Sequence, residues 1–147
     1  MTPRADQRGV VAGTDVLLFG AIVLVALILL FAQLWRVYEA EAAARAGARE
    51  AARTYVESNG DDPRRAVSVG TNALTRLGAS DGSVTVSAPA GFGRCQLVVA
   101  ESVVVVPAVR LPFVGGVLGH TAEARHVERI DPFRSGLEGA AGACDAP

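Results

Sequence analysis

From Val16 to Ala32 every position is apolar or glycine, and the run reaches Trp35 with Gln33 as its polar interruption. A helix of about 20 such residues crosses a bilayer core, and a soluble core helix rarely carries so pure a run. The pattern predicts a transmembrane helix over 14–35. Thr14 is its expected N-cap and Asp15 stands in the first turn, where a carboxylate meets the positive end of the helix dipole. Residues 1–13 are polar and rich in helix breakers, which predicts a flexible leader on the cytoplasmic side.

The helical pattern does not stop with the apolar run. Residues 36–58 are dominated by Ala, Arg and Glu, strong helix formers with no Pro among them. Glu41 stands four residues before Arg45, and Arg53 four before Glu57, so exposed ion pairs assist this extension. Ala40, Ala44, Gly47, Ala48, Ala51 and Tyr55 recur at helical spacing as a narrow stripe of mostly small side chains. Such a stripe admits a close neighbour, either a sheet of the same chain or another helix. Asp15 to Ser58 is expected as one rod of roughly 65 Å, half in lipid. Asn59-Gly60 ends it, with Gly60 suited to a left-handed cap. Asp62 and Pro63 then start a second helix as N-cap and first helical residue. Ala66, Val67, Gly70, Ala73, Leu74 and Leu77 form its apolar face, and Gly78 stops it.

From Ser83 the period becomes two. Val84 and Val86 alternate with Ser83, Thr85 and Ser87, a strand with one wet face. The β-branched stretch from Cys95 to Val106 is too continuous for an exposed edge and predicts a central strand buried on both faces for part of its length. Residues 107–119 are apolar but broken by Pro and Gly, so they predict no long element and a place near the bilayer surface. Thr121 to Ile130 predicts a third strand with Ala122, Ala124 and Ile130 on one side. The fold class is α+β: a long pilin-like N-terminal helix, a second short helix and a small antiparallel sheet packed on the upper half of the long helix. The small extracytoplasmic domain is expected over 59–135, with a flexible Gly/Ala-rich tail over 136–147.

Composition narrows the function. All 14 basic residues are Arg, the 15 acidic residues nearly balance them, and the net charge is −1. That excludes a strongly basic nucleic-acid binder and an acidic disordered tail. No nucleophile elbow, phosphate-binding loop or paired-Cys zinc signature is present, so neither enzyme activity, a cofactor, a metal nor a small-molecule substrate is expected. His120 and His126 share a strand face with Glu128, but six residues of strand separate the two histidines by about 20 Å, too far for one metal ion. Cys95 and Cys144 are an even pair. As a disulfide they would close a loop of about 50 residues worth ~4 kcal/mol on the chain-entropy model; otherwise they are a buried and a solvent thiol.

Three readings of the N-terminus compete. They are a secretory signal cut near Ala40-Glu41-Ala42, an uncleaved signal anchor, and a prepilin-type leader cut after Gly9 that leaves the apolar helix on the mature chain. Arg4 and Arg8 precede the span while Arg36, Arg45, Arg49 and Arg53 follow it, so counting basic residues favours a cytoplasmic C-terminal side. The two cysteines and the β-rich remainder favour the outside, and the single-pass, extracytoplasmic orientation is the expectation adopted.

Arg8-Gly9 before an apolar helix, the Ala43–Arg53 continuation AARAGAREAAR, and the closing HVERIDPFRSGL from His126 to Leu137 resemble the TadE-like minor pseudopilins of tight-adherence pili, of the high-Arg actinobacterial type. The resemblance covers nearly the whole chain. It implies prepilin-peptidase cleavage between Gly9 and Val10, insertion by the apolar helix, other pilins and pilus-assembly proteins as partners, and a structural part in building or priming a pilus or related secretion apparatus. Family leaders place Glu at the fifth residue after the cut, to pair with a neighbour's new amino terminus. Here Thr14 stands there and Asp15 follows, turned by about 100° on a helix, so Thr14 and Asp15 are the expected assembly contact. The alternative is a membrane-tethered extracytoplasmic binding or accessory module unrelated to pili.

Overall fold

The computed structural model describes residues 8–111, 115–117, 119–137 and 144. The chain forms two compact units, Met1–Trp35 and Arg36–Pro147. Helix α1 is Arg8–Glu57, helix α2 is Pro63–Arg76, and five strands follow: β1 Ser83–Ser87, β2 Leu97–Val106, β3 Val109–Leu111, β4 Gly115–Val117 and β5 His120–Arg129. The fold is α+β, with a long N-terminal helix, a second short helix and a three-stranded antiparallel sheet.

The helix start corrects the sequence expectation. Thr14 and Asp15 lie inside α1, which begins at Arg8, so Thr14 is not an N-cap and residues 8–13 are helical. Gly9 and Gly13 each cost about 1 kcal/mol against Ala, but extending an established helix adds one hydrogen bond per residue with no new nucleus. A long apolar helix therefore propagates through isolated glycines where no Pro intervenes. Residues 1–7 lie outside the described residues.

At its other end α1 stops as expected. Asn59 and Gly60 take left-handed conformations (φ 55° and 79°), and the Gly60 N–H donates to the Tyr55 carbonyl at 3.0 Å. Phe92 packs over Gly60 so closely that a Cβ there would lie 2.6 Å from its ring. The same ring meets Tyr55 edge-on, with centroids 5.5 Å apart. No basic residue stands in the last turn of α1. Arg134 supplies one from far along the chain, its Nη2 donating to the Glu57 carbonyl at 2.9 Å and its Nε to Asn59 Oδ1 at 2.7 Å. A cation there meets the unsatisfied carbonyls and the negative dipole end together.

In α2 the Asp62 carboxylate accepts from the Arg65 N–H at 2.8 Å and Pro63 occupies the first turn. Ala66, Gly70 and Leu74 are buried. Leu77, expected on the apolar face, caps the helix outside its last turn and is exposed.

The sheet order is β1-β2-β5. In β2 the even-numbered residues Val98, Ala100, Ser102, Val104 and Val106 are buried. Val99 is also buried on the opposite face, opposite Ser87 and Val127, while Glu101 and Val105 on that face are exposed. The strand is thus enclosed on both sides only near its start. It begins at Leu97 rather than Cys95, because Cys95 takes a left-handed φ of 64° and belongs to the preceding turn. Within 107–119 the strands β3 and β4 pair antiparallel as a three-residue hairpin. Two prolines and three glycines hide that pairing from periodicity.

The core joins the extension of α1, α2 and one sheet face. Ala43, Ala44, Ala48, Ala51 and Ala52 are fully buried together with Leu74, Val98 and Ile130. Close approach sets the spacing: a Cβ on Gly47 would lie 2.6 Å from Leu74 Cδ2, and one on Gly70 would lie 2.8 Å from the Gly47 carbonyl oxygen. The Ser102 hydroxyl donates to the Ala44 carbonyl, fixing the central strand against α1.

Candidate functional site

The apolar run forms a surface, not a core. Leu17, Phe19, Ile22, Leu24, Ile28 and Phe31 are between 58% and 75% exposed within a helix segment of mean hydropathy 2.9, and only 6% of that segment's most apolar window is buried. A water-soluble domain does not expose a contiguous apolar surface of this kind. By length and composition this is a helix able to cross a membrane, and it is the single such helix among the described residues.

The small-residue stripe turns inward. Ala40, Ala44, Gly47, Ala48 and Ala51 are buried and Tyr55 is half-buried, packed against α2 and the sheet. Sequence reasoning left open whether a sheet of the same chain or another helix takes this stripe; the structure places its own sheet and α2 there. The stripe is also broader than its spacing showed, since Ala43, Ala52 and Val56 are buried beside it. For Ala43 and Ala52 the signal was their place beside the stripe at Ala44 and Ala51.

What α1 leaves exposed beyond the apolar run is mostly charged, with Tyr38 and Ala42 as exceptions. Arg45 Nη2 pairs with Glu41 Oε2 at 2.9 Å, and Arg53 Nε with Glu57 Oε1 at 2.8 Å. The hydrogen bond to Glu57, then the charges of Glu57 and Glu50, hold the Arg53 guanidinium above its ordinary value, so it stays cationic. A shallow cleft of about 380 Å³ separates this flank from β5, lined by Arg45, Ala48, Arg49, Ala124, Arg125 and His126 together with Glu123. A second cleft, of about 370 Å³, lies between the start of the extension and the far end of β2, with Arg36, Glu39, Asp81 and Val106 among its walls.

The expected leader site falls at the start of α1: Gly9 and Val10 are helical, as are Thr14 and Asp15. His120 pairs with Val106 and His126 with Ala100 across the ladder, and among the described residues no three His, Cys, Asp or Glu side chains converge on one point. Cys95 and Cys144 are joined as a disulfide, with Cα atoms 5.3 Å apart. The Cys95 N–H donates to the Ile130 carbonyl at 3.1 Å and the Ile130 N–H to the Gln96 carbonyl at 2.9 Å. The bond therefore ties residue 144 to the turn that precedes β2 and hydrogen-bonds to Ile130 just after β5.

No family model, curated protein or solved structure matches the chain.

Proposed function

We propose that this chain is a single-pass membrane protein, pilin-like in build, that takes a structural part in assembling or priming a tight-adherence pilus or a related secretion apparatus. One observation carries the reading: an apolar, exposed helical segment continues without interruption into the helix on which a small α+β unit is built. That plan suits a protein held in lipid while it presents a folded unit to partners. The disulfide supports an extracytoplasmic unit, because structural disulfides persist in oxidising compartments. The partners are other pilins and pilus-assembly proteins, with a prepilin peptidase acting between Gly9 and Val10.

The test is N-terminal sequencing of protein recovered from membranes. A start at Val10 supports the pilin reading. An intact or Met-trimmed terminus refutes leader cleavage and supports the tethered accessory module, and a start at Ala43 refutes both by indicating secretion.

Two observations favour the accessory module as the second reading. Thr14 stands where a family glutamate is expected, and the small-residue stripe is occupied by the chain's own sheet and α2. Crosslinkers on the stripe would therefore report the intramolecular contact under either reading. Crosslinkers on exposed flank positions such as Ala42, Arg49 and Glu50 discriminate: products with pilus components support the pilin reading.

A further inference from the structure

We propose that the end of the folded unit entered by the apolar run is seated on the bilayer, where the β3–β4 hairpin meets the lipid headgroups as a membrane contact additional to the anchoring helix. The inference rests on the membrane anchor and is independent of any part in a pilus.

β3 and β4 are the far end of one long ribbon. Val106 pairs with His120, and three residues further along each strand Val109 pairs with Val117, so the ladder of β2 and β5 passes the break at Pro107 without losing register. The direction of the ribbon is fixed inside the unit. The Ser102 hydroxyl, midway along β2, donates to the Ala44 carbonyl, whereas Val106 and Pro107 line a cleft with Arg36, Glu39 and Ala40. β2 therefore runs toward the start of the helical extension, and Arg36 is the first residue after Trp35, where the apolar run ends. Core residues stop at Val106 on β2 and at Ala122 on β5. The five residues from Val106 to Leu111 extend about 16 Å as strand, so the hairpin projects past the core at the end that the apolar run enters.

Composition changes along the same ribbon. β5 carries Glu123, Arg125, Glu128 and Arg129, whereas Arg110 is the one charged residue of β3 and β4 together. Leu77, closing α2, and Val105, near the end of β2, are half exposed on the cleft that Arg36 also lines. Tyr38, in the first turn of the extension, is exposed too, and such rings collect at the headgroup level of a bilayer. At the opposite end of the unit the exposed residues are Asn59, Asp61, Asp62 and Arg134, with Phe133 as a solitary exposed ring.

The same features set the depth and the kind of lipid. Among the described residues no third strand pairs with β3 or β4, so their outer N–H and C=O groups need partners that hydrocarbon cannot offer. The hairpin therefore lies at the headgroup and acyl boundary, about 5–10 Å deep, and does not cross the bilayer core. Arg36 shares its cleft with Glu39 and Asp81, so charge selects no anionic lipid and apolar contact holds the seat.

The test places a fluorophore on single added cysteines of the unreduced full chain in zwitterionic vesicles: Val117→Cys, Leu77→Cys, Asp61→Cys and Leu24→Cys. The quenchers are lipids carrying a nitroxide either near the glycerol end or near the methyl end of the acyl chain. The shallow nitroxide should quench the labels at 117 and 77 at least about threefold more than the label at 61, and the deep one should act most strongly at 24. Val109→Asp combined with Val117→Asp should bring the label at 77 down to the level seen at 61, and anionic lipid should change none of these values. Should that double variant lose its cooperative melt by circular dichroism, Leu77→Asp read at the 117 label replaces it, with the same loss expected. Labels at 117 and 77 no more quenched than the one at 61, with 24 still quenched, would overturn the seat and leave the anchor standing. An unquenched label at 24 would overturn both. Quenching that requires anionic lipid or survives the aspartates would overturn apolar contact by the hairpin as its cause.

Discussion

Replacing one, then two, apolar residues by arginine in the middle of the apolar run gives a graded test of membrane anchoring. The fourteen Val, Leu, Ile and Phe side chains from Val16 to Leu34 are all exposed. At about −0.3 to −0.6 kcal/mol each for insertion, they sum to roughly −6 kcal/mol, with Gly and Ala contributing little. An arginine near the centre costs about 3 kcal/mol and also forfeits the leucine it replaces, so Leu24→Arg leaves roughly −2.5 kcal/mol and a chain still inserted. Adding Ile28→Arg, one turn further on the same side, brings the balance to about +1 kcal/mol, and most chains should fail to insert. The assay is resistance to alkaline carbonate extraction, with sedimentation of detergent-free lysate as a check. The expected order is wild type and single variant in the membrane pellet, double variant in the supernatant or aggregated. Wild-type protein released without detergent would refute the anchor. A double variant as firmly held as wild type would refute the energetic reasoning, because something other than these side chains would then hold the chain.

Four further outcomes follow from the geometry of the chain. Gly70→Ala places a Cβ 2.8 Å from the Gly47 carbonyl oxygen and 2.9 Å from the Ala51 Cβ, so the helices must part; a loss of about 1–3 kcal/mol should lower the thermal midpoint by about 5–15 °C. Gly20→Ala, whose Cβ meets nothing within 4 Å, should leave the same midpoint unchanged. Ser102→Ala removes the hydroxyl that donates to the Ala44 carbonyl and should cost about 1 kcal/mol in chemical denaturation. Cys144→Ser opens a loop of 49 residues' separation and should cost about 4 kcal/mol on the chain-entropy model, a loss that adding reductant to wild type should reproduce.

Much of this fold was legible because it rests on local periodicity. β1 falls at Ser83–Ser87 and α2 starts at Pro63 behind the Asp62 cap, as alternation and capping chemistry require. β5 lies within a residue of its expected limits, because Ala122, Ala124 and Ile130 mark one face unambiguously. The misreadings share a cause, which is competition between a local signal and a longer-range one. Thr14 and Asp15 look like a helix start, but an apolar helix already nucleated downstream extends past them to Arg8. Residues 109–117 hold no long element, as expected, but the three-residue strands there pair Val109 with Val117, a contact no local period shows. Cys95 reads as strand by its neighbours and is a turn residue because its partners are Ile130 and Cys144. The candidate surfaces depend still more on distant residues. A small-residue stripe is the same sequence signal whether a sheet or a foreign helix covers it, and only tertiary packing decides between them.

That decision bears on what the resemblance to minor pseudopilins means. Two of the segments that carry it have structural work inside this chain. The Ala43–Arg53 segment supplies Ala43, Ala44, Ala48, Ala51 and Ala52 to the core. In the His126–Leu137 segment, Ile130 is fully buried and pairs with the turn at Gln96, while Arg134 binds the carbonyl end of α1 and accepts through its own carbonyl from Arg94 Nε at 3.1 Å. Both segments thus constrain this chain's own fold, whatever partner it has. Under the proposed function, partner contacts fall on what these segments leave exposed, such as the Arg45–Arg49–Arg53 flank of the helix. Arg134→Ala separates the two roles. It removes the cation from the α1 terminus and should cost about 1–2 kcal/mol of stability, read in the thermal midpoint. Crosslinking yield from Ala42, Arg49 and Glu50 should be unchanged at temperatures where the variant remains folded. A variant of unchanged stability whose crosslinks vanish would assign this segment to partner binding instead.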